Sequence, residues 1–209
     1  MHGRFIALEG GEGAGKSTQA KLLVDALEAR GLKVQLTREP GGTPGAEAIR
    51  KLLLDPPGEG WGPQAEALLF AAARADHVAR RIRPALERGE WVISDRFVDS
   101  SRAYQGSAGA LGDTAITTLH EIGSGGLRPD LTILLQADDE QVAARLAARD
   151  GDNSDAIGSR NSAYHRAVAH AFRRYAEEDP KGFAVIDAGG DPETVHARIM
   201  DTLAPILEG

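Results

Sequence analysis

The 209-residue sequence has no cysteine, which excludes disulfides and thiolate metal sites and fits a reducing cytoplasm. It has no apolar run near the 18 or so residues of a membrane span. Its first residues lack a basic region followed by a long apolar stretch and a small-residue cleavage site, so the reading is a soluble, unexported, cytoplasmic protein. Basic charge is also short: 24 Lys and Arg against 31 Asp and Glu leave a net charge of -7, which argues against a chain that coats a nucleic acid polymer. The six histidines form no HxxxH or HExxH pair, and none is assigned to a metal. With neither an internal repeat nor a linker, residues 1–209 are read as one domain, long enough to bury roughly 70% of its unfolded surface.

What is present is alternation. Short apolar or β-branched runs at Arg4–Leu8, Lys33–Thr37, Trp91–Ser94, Leu131–Leu135 and Phe183–Asp187 read as strands, the last four apolar enough for a buried parallel sheet. Helical spacing recurs at Ala20, Leu23, Val24 and Leu27, and again across a long stretch from about Gln64 to Arg88. Further helices are predicted from about Asp139 to Arg149 and from about Pro192 to Leu207. The pattern predicts an α/β fold with a mostly parallel sheet flanked by helices, in which ligands sit beyond the carboxyl ends of the strands.

The first strand runs into "GGEGAGKST", where Gly10, Gly15, Lys16 and Ser17 fit GxxxxGK[ST]. In that pattern the glycines let backbone N–H groups face nucleotide phosphates, the lysine reaches the β and γ phosphates, and the hydroxyl ligates Mg²⁺. A helix opening at Lys16 adds its positive end. Position matters here: the motif follows a strand and opens a helix, as the mechanism requires. The residues Gly10, Gly11, Glu12, Gly13, Ala14, Gly15, Lys16, Ser17 and Thr18 are therefore expected to bind ATP. A second element is "WVISDRF", in which a strand ends in Asp95, able to hold the metal through water, and Arg96, a planar fork for a second phosphate.

Four segments in this order, "TREPGGTPGAEAIRKLLL", "LLFAAARADHV", "SDRFVDSSRAYQG" and "LRPDLTILL", resemble bacterial thymidylate kinase from about Phe5 to Leu135 and more loosely thereafter. The resemblance implies a P-loop NTPase fold with five parallel strands, a short lid at about 150–160, a homodimer, and transfer of the γ-phosphoryl of ATP to dTMP. It also implies residue roles. Phe70 would stack on thymine and Arg74 would bond its O4, with Ser101 and Gln105 completing base recognition. Arg96 would clamp the dTMP phosphate with Arg38, Glu39, Pro40, Arg50 and the neighbouring Ser100, while Glu12 and Tyr104 would stand near the sugar.

One segment departs from the resemblance. Where many relatives carry an arginine, the lid has Ala156 in "DAIG", and the phosphate loop has no arginine either. Charge on the transferred phosphoryl would then be met by Lys16, Mg²⁺, Arg96 and an arginine flanking the lid, Arg149 first and Arg160 second, with Arg145 one turn before Arg149. Two other readings stay open on the residues: a kinase for another nucleoside monophosphate, and a nucleotide-binding regulator without turnover. A regulator has no need of the second phosphate element at Arg96.

Overall fold

The computed structural model describes residues 3–138 and 156–208. All five strands expected from the sequence form, each within a residue of its predicted ends: β1 (Phe5–Glu9), β2 (Val34–Arg38), β3 (Trp91–Asp95), β4 (Leu131–Gln136) and β5 (Phe183–Asp187). They make one parallel sheet in the order β2-β3-β1-β4-β5. β1 is thus central, which puts the loop that follows it at the middle of the carboxyl edge. The register aligns Leu8 and Arg38 with Asp95, so the ends of three strands meet there.

Alternation along β1 supplies both faces of the core. Ile6 and Leu8 point to a cluster with Leu23 and Leu27 of α1 (Lys16–Glu28), while Phe5 and Ala7 point to one with Val78 and Ile82. All are essentially buried, as a parallel sheet covered on both sides demands.

The remaining helices carry local signals. α2 (Pro44–Leu54) starts behind Thr43, whose hydroxyl accepts from Ala46 N, with proline in its first turn. The stretch read as helical from about residue 64 to 88 is helical throughout but not uniform: α3 (Pro63–His77) passes through a π-helical stretch Val78–Ile82 into α4 (Arg83–Glu87). The physical reason is Pro84, which has no N–H to donate and whose ring crowds the carbonyl four residues earlier. After β3 come α5 (Val98–Ser101), a second π-helical stretch Arg102–Ala108, and α6 (Asp113–Ser124). The chain ends with α7 (Ser162–Glu178), capped by Asn161, and α8 (Pro192–Glu208). The helix predicted at Asp139–Arg149 lies outside the described residues, as does most of the predicted lid.

Candidate active site

The phosphate loop bends where its glycines allow. Gly10 has φ 141° and a Cβ there would stand 2.5 Å from Leu135 O, so no other residue fits. α1 has left-handed Gly15 as its N-cap and no side chain capping its first turn, which leaves that turn's N–H groups free to face an anion. The loop closes over Lys16, whose Nζ donates to Gly10 O at 3.0 Å and Gly11 O at 2.7 Å. Burial, reinforced by the Arg96 guanidinium nearby, pulls the Lys16 ammonium down to about 7. Beside it Ser17 Oγ donates to Asp95 Oδ2 at 2.5 Å. A hydroxyl and a carboxylate, both oxygen donors, suit a hard cation that keeps water and phosphate ligands.

Arg96 holds an unusual backbone conformation, φ 71°, immediately after β3. Its Nη1 donates to Gly10 O at 3.2 Å and Ser100 Oγ at 3.0 Å, and its Nη2 to the Tyr104 hydroxyl at 3.2 Å. Behind it lies Glu9, fully buried. Glu9 accepts from Phe97 N at 2.8 Å, Ser100 N at 3.0 Å and Ser100 Oγ at 2.6 Å, and so anchors the turn that carries Arg96. Burial pushes its carboxyl up to about 7, although Arg96 opposes the shift.

The other end of the cleft is built on α3. Arg74 Nε donates to Glu39 Oε2 at 2.7 Å, and its Nη2 to Ser101 Oγ at 2.8 Å and Phe97 O at 3.4 Å. Glu39 also faces His77 Nδ1 at 3.0 Å, and His77 Nε2 lies 2.6 Å from Thr37 Oγ1. Burial alone would raise the Glu39 carboxyl, but Arg74 and His77 outweigh it and hold the group below its ordinary value. The Glu39–Pro40 peptide is cis, and Pro40 O accepts from Arg50 Nη1 at 2.7 Å. Phe70, one turn before Arg74, is half-buried at the cleft wall rather than locked in the core.

A cleft of about 880 Å³ joins these ends. It brings together the expected set from Glu12 to Thr18, with Arg38, Glu39, Pro40 and Arg50, then Phe70 and Arg74, then Asp95 and Arg96, and finally Ser100, Ser101, Tyr104 and Gln105. Gly10 and Gly11 support it as the carbonyls under Lys16. Arg38 reaches Glu47 at 3.2 Å and is more than half exposed. Arg160 is not brought to the phosphate loop. Its guanidinium bonds Glu66 and the Tyr164 hydroxyl and lines a separate, smaller cavity, because Glu66 offers it an anionic partner on α3. Arg149 and Arg145 lie outside the described residues. Among those that are described, Ile157 and Gly158 reach the cleft, where a Cβ on Gly158 would stand 2.7 Å from Glu12 Oε2.

Sequence reasoning missed Glu9, His77 and Glu66. Each is an ionisable residue at the end of a strand or on the inner face of a helix; the available signal for Glu9 was a carboxylate closing an otherwise apolar strand.

The central strand, phosphate loop and helix, facing a second arginine after the neighbouring strand, define a P-loop phosphotransferase with donor and acceptor phosphate elements in one cleft. Residues 8–199 match the family model described as thymidylate kinase. The chain is 58% identical over 207 residues to the thymidylate kinase of Rhizorhabdus wittichii, covering 99% of this chain and 100% of the other. It is 52% identical to that of Chromohalobacter salexigens, covering 94% and 93%. The crystal structure of thymidylate kinase from Ehrlichia chaffeensis superposes with a TM-score of 0.78 at 31% identity, covering 97% of this chain and all of that one. The chain belongs to the thymidylate kinase family, whose reaction is the phosphorylation of dTMP to dTDP.

Proposed function

We propose that the transfer takes place between Lys16 and Arg96, with ATP on the phosphate loop and dTMP along the cleft toward Arg74. The observation that carries this reading is that both cations donate to one oxygen, Gly10 O, at 3.0 and 3.2 Å. Two positive side chains that share an acceptor repel each other, and an anion between them relieves that repulsion. The γ-phosphoryl and the acceptor phosphate are the anions that fit, and holding them side by side supplies most of what phosphoryl transfer requires. The acceptor phosphate is already an anionic nucleophile, so no general base is needed.

Ser17 would ligate Mg²⁺ directly and Asp95 would hold it through water, where the ion would neutralise charge on the β and γ phosphates. Glu9 and Ser100 orient Arg96, and Tyr104 bonds its far nitrogen. At the base end Phe70 offers a stacking face, Arg74 a donor for O4, and Ser101 and Gln105 the remaining polar contacts. Arg38, Glu39, Pro40 and Arg50 form the wall along the acceptor phosphate, and Glu12 stands by the sugar. Arg149, just before the lid, would add positive charge to the transferred phosphoryl.

Leu68 on α3 and Ile122 on α6 are 56% and 79% exposed on helices that pack together, which supports a homodimer through these helices. No described helix is long and apolar enough to cross a membrane, and a cytoplasmic location is part of the same reading. A coupled ADP-release assay across dTMP, dUMP, dCMP, AMP and GMP tests the substrate. We expect dTMP to be the best acceptor; a purine nucleotide that outperforms it would overturn the assignment of the base end. Light scattering of wild type against Ile122→Asp tests the dimer, with the variant expected to be monomeric.

A further inference from the structure

Gln105 is 2% exposed, and its two amide atoms meet different surroundings. Nε2 donates to Glu66 Oε1 at 2.8 Å, whereas Oε1 is buried without a partner. Glu66 in turn accepts from Arg160 Nη2, and Arg160 Nη1 donates to the hydroxyl of Tyr164, which itself donates to Tyr104 O at 2.7 Å. Glu66, Arg160 and Tyr164 surround a second cavity of about 350 Å³, and Gln105 is the wall between it and the larger cleft.

A carboxylate bears acceptors only, so the Gln105 atom turned to Glu66 must be the amide nitrogen, however the amide would otherwise rotate. The carbonyl is then the remaining polar end of a residue that lines the cleft, buried just beneath its surface. A buried carbonyl without a donor is a costly state that a ligand N–H can complete. Glu66, only 7% exposed, needs a counter-charge of its own, and Arg160 supplies it.

We propose that Glu66, held by Arg160, is a positioning residue that determines base specificity: it locks the Gln105 amide with its acceptor toward the base. The cleft then favours a pyrimidine whose N3 carries a proton, as in thymine and uracil, over cytosine, whose N3 is an acceptor. The inference rests on the placement of the base beside Gln105 given above. Arg160 acts here through Glu66 and not on the phosphates.

The test is steady-state kinetics with dTMP and dUMP as acceptors and dCMP as both acceptor and competitive inhibitor, on wild type, Glu66→Gln, Arg160→Gln and Gln105→Ala. Glutamine at 66 keeps the shape but offers either a donor or an acceptor, which frees the Gln105 amide to turn. Selectivity for dTMP over dCMP, read from KM and Ki, is expected to fall about tenfold in Glu66→Gln and about threefold in Arg160→Gln, the size of losing one oriented hydrogen bond. The dTMP to dUMP ratio and the KM for ATP should stay within about twofold, since neither reads the amide. A uniform loss with all acceptors, leaving the dTMP to dCMP ratio unchanged, would overturn the proposal. If Glu66→Gln does not fold, an unchanged ratio in Arg160→Gln does so instead. Gln105→Ala separates the two levels: an unchanged KM for dTMP removes the base from Gln105 altogether. A raised KM there, with selectivity intact in Glu66→Gln, removes only the positioning role.

Discussion

The two ends of the cleft hold their charges in opposite ways. At the phosphate end Lys16 and Arg96 crowd one carbonyl oxygen, and the nearest carboxylates are turned to other work: Glu9 to backbone N–H groups and Asp95 to Ser17. At the base end each buried charge is matched, Arg74 by Glu39 and Glu66 by Arg160. The difference follows the ligand. A phosphate brings charge of its own, so neither cation that receives it is given a carboxylate to bond; a neutral base brings none, and a charge left unpaired beside it would have to be desolvated for nothing.

The comparison can be broken at several points. The largest effect is expected at the matched end, where Arg74→Ala leaves Glu39 buried with only His77 and should destabilise the protein by about 3–5 kcal/mol. Urea unfolding measures it, and a loss under about 1 kcal/mol would mean that the pair is not a structural unit. At the unmatched end the order reverses: Lys16→Ala should cost little or no stability, since it removes a repelled cation, yet lower kcat by at least about a hundredfold. Thermal melting beside single-turnover assays separates the two, and near-normal turnover would show that the loop is not the catalytic phosphate site.

A smaller effect sharpens the picture of the base end. The methyl group that distinguishes dTMP from dUMP should be worth about 1–3 kcal/mol in kcat/KM if Phe70 and its neighbours form a fitted pocket. Equal values for the two acceptors would leave the base held by polar contacts only.

The smallest effect is the pH response of Glu9. Its folded pKa, raised by burial, lies above its unfolded one, so the folded state holds the extra proton and the stabilising contribution is complete below about 4.5 and lost as pH rises toward about 7. The melting temperature of the free enzyme should therefore fall more from pH 5 to pH 8 in wild type than in Glu9→Gln. Parallel profiles would assign the pH dependence to other groups.

Much of this was legible in the chain. Strand positions came from apolar runs bounded by turns, and the phosphate loop from glycine spacing, because both are local: a run of five residues or a motif of eight carries its own physical reason. The π turn before Pro84 is a local matter as well, since the proline that causes it stands in the sequence. α2 and α7 carry weaker signals, Thr43-Pro44 and Asn161 at their starts. Arg160 is different in kind. Its i+4 neighbour Tyr164 is visible in sequence, but the partner that diverts it, Glu66, lies 94 residues away.

The sequence by itself determined the five strands, the phosphate loop after the first of them, and the resemblance that named the substrate. Only the tertiary structure decided that Lys16 and Arg96 meet at Gly10 O, that Glu9 sits beneath the arginine turn, and that Gln105 stands between Glu66 and the cleft. The reason is that backbone propensity and motif spacing act over a few residues. The pairing of a buried charge depends on which distant side chain the crossovers of a parallel sheet carry to the same edge, and that is settled only when the whole sheet has formed.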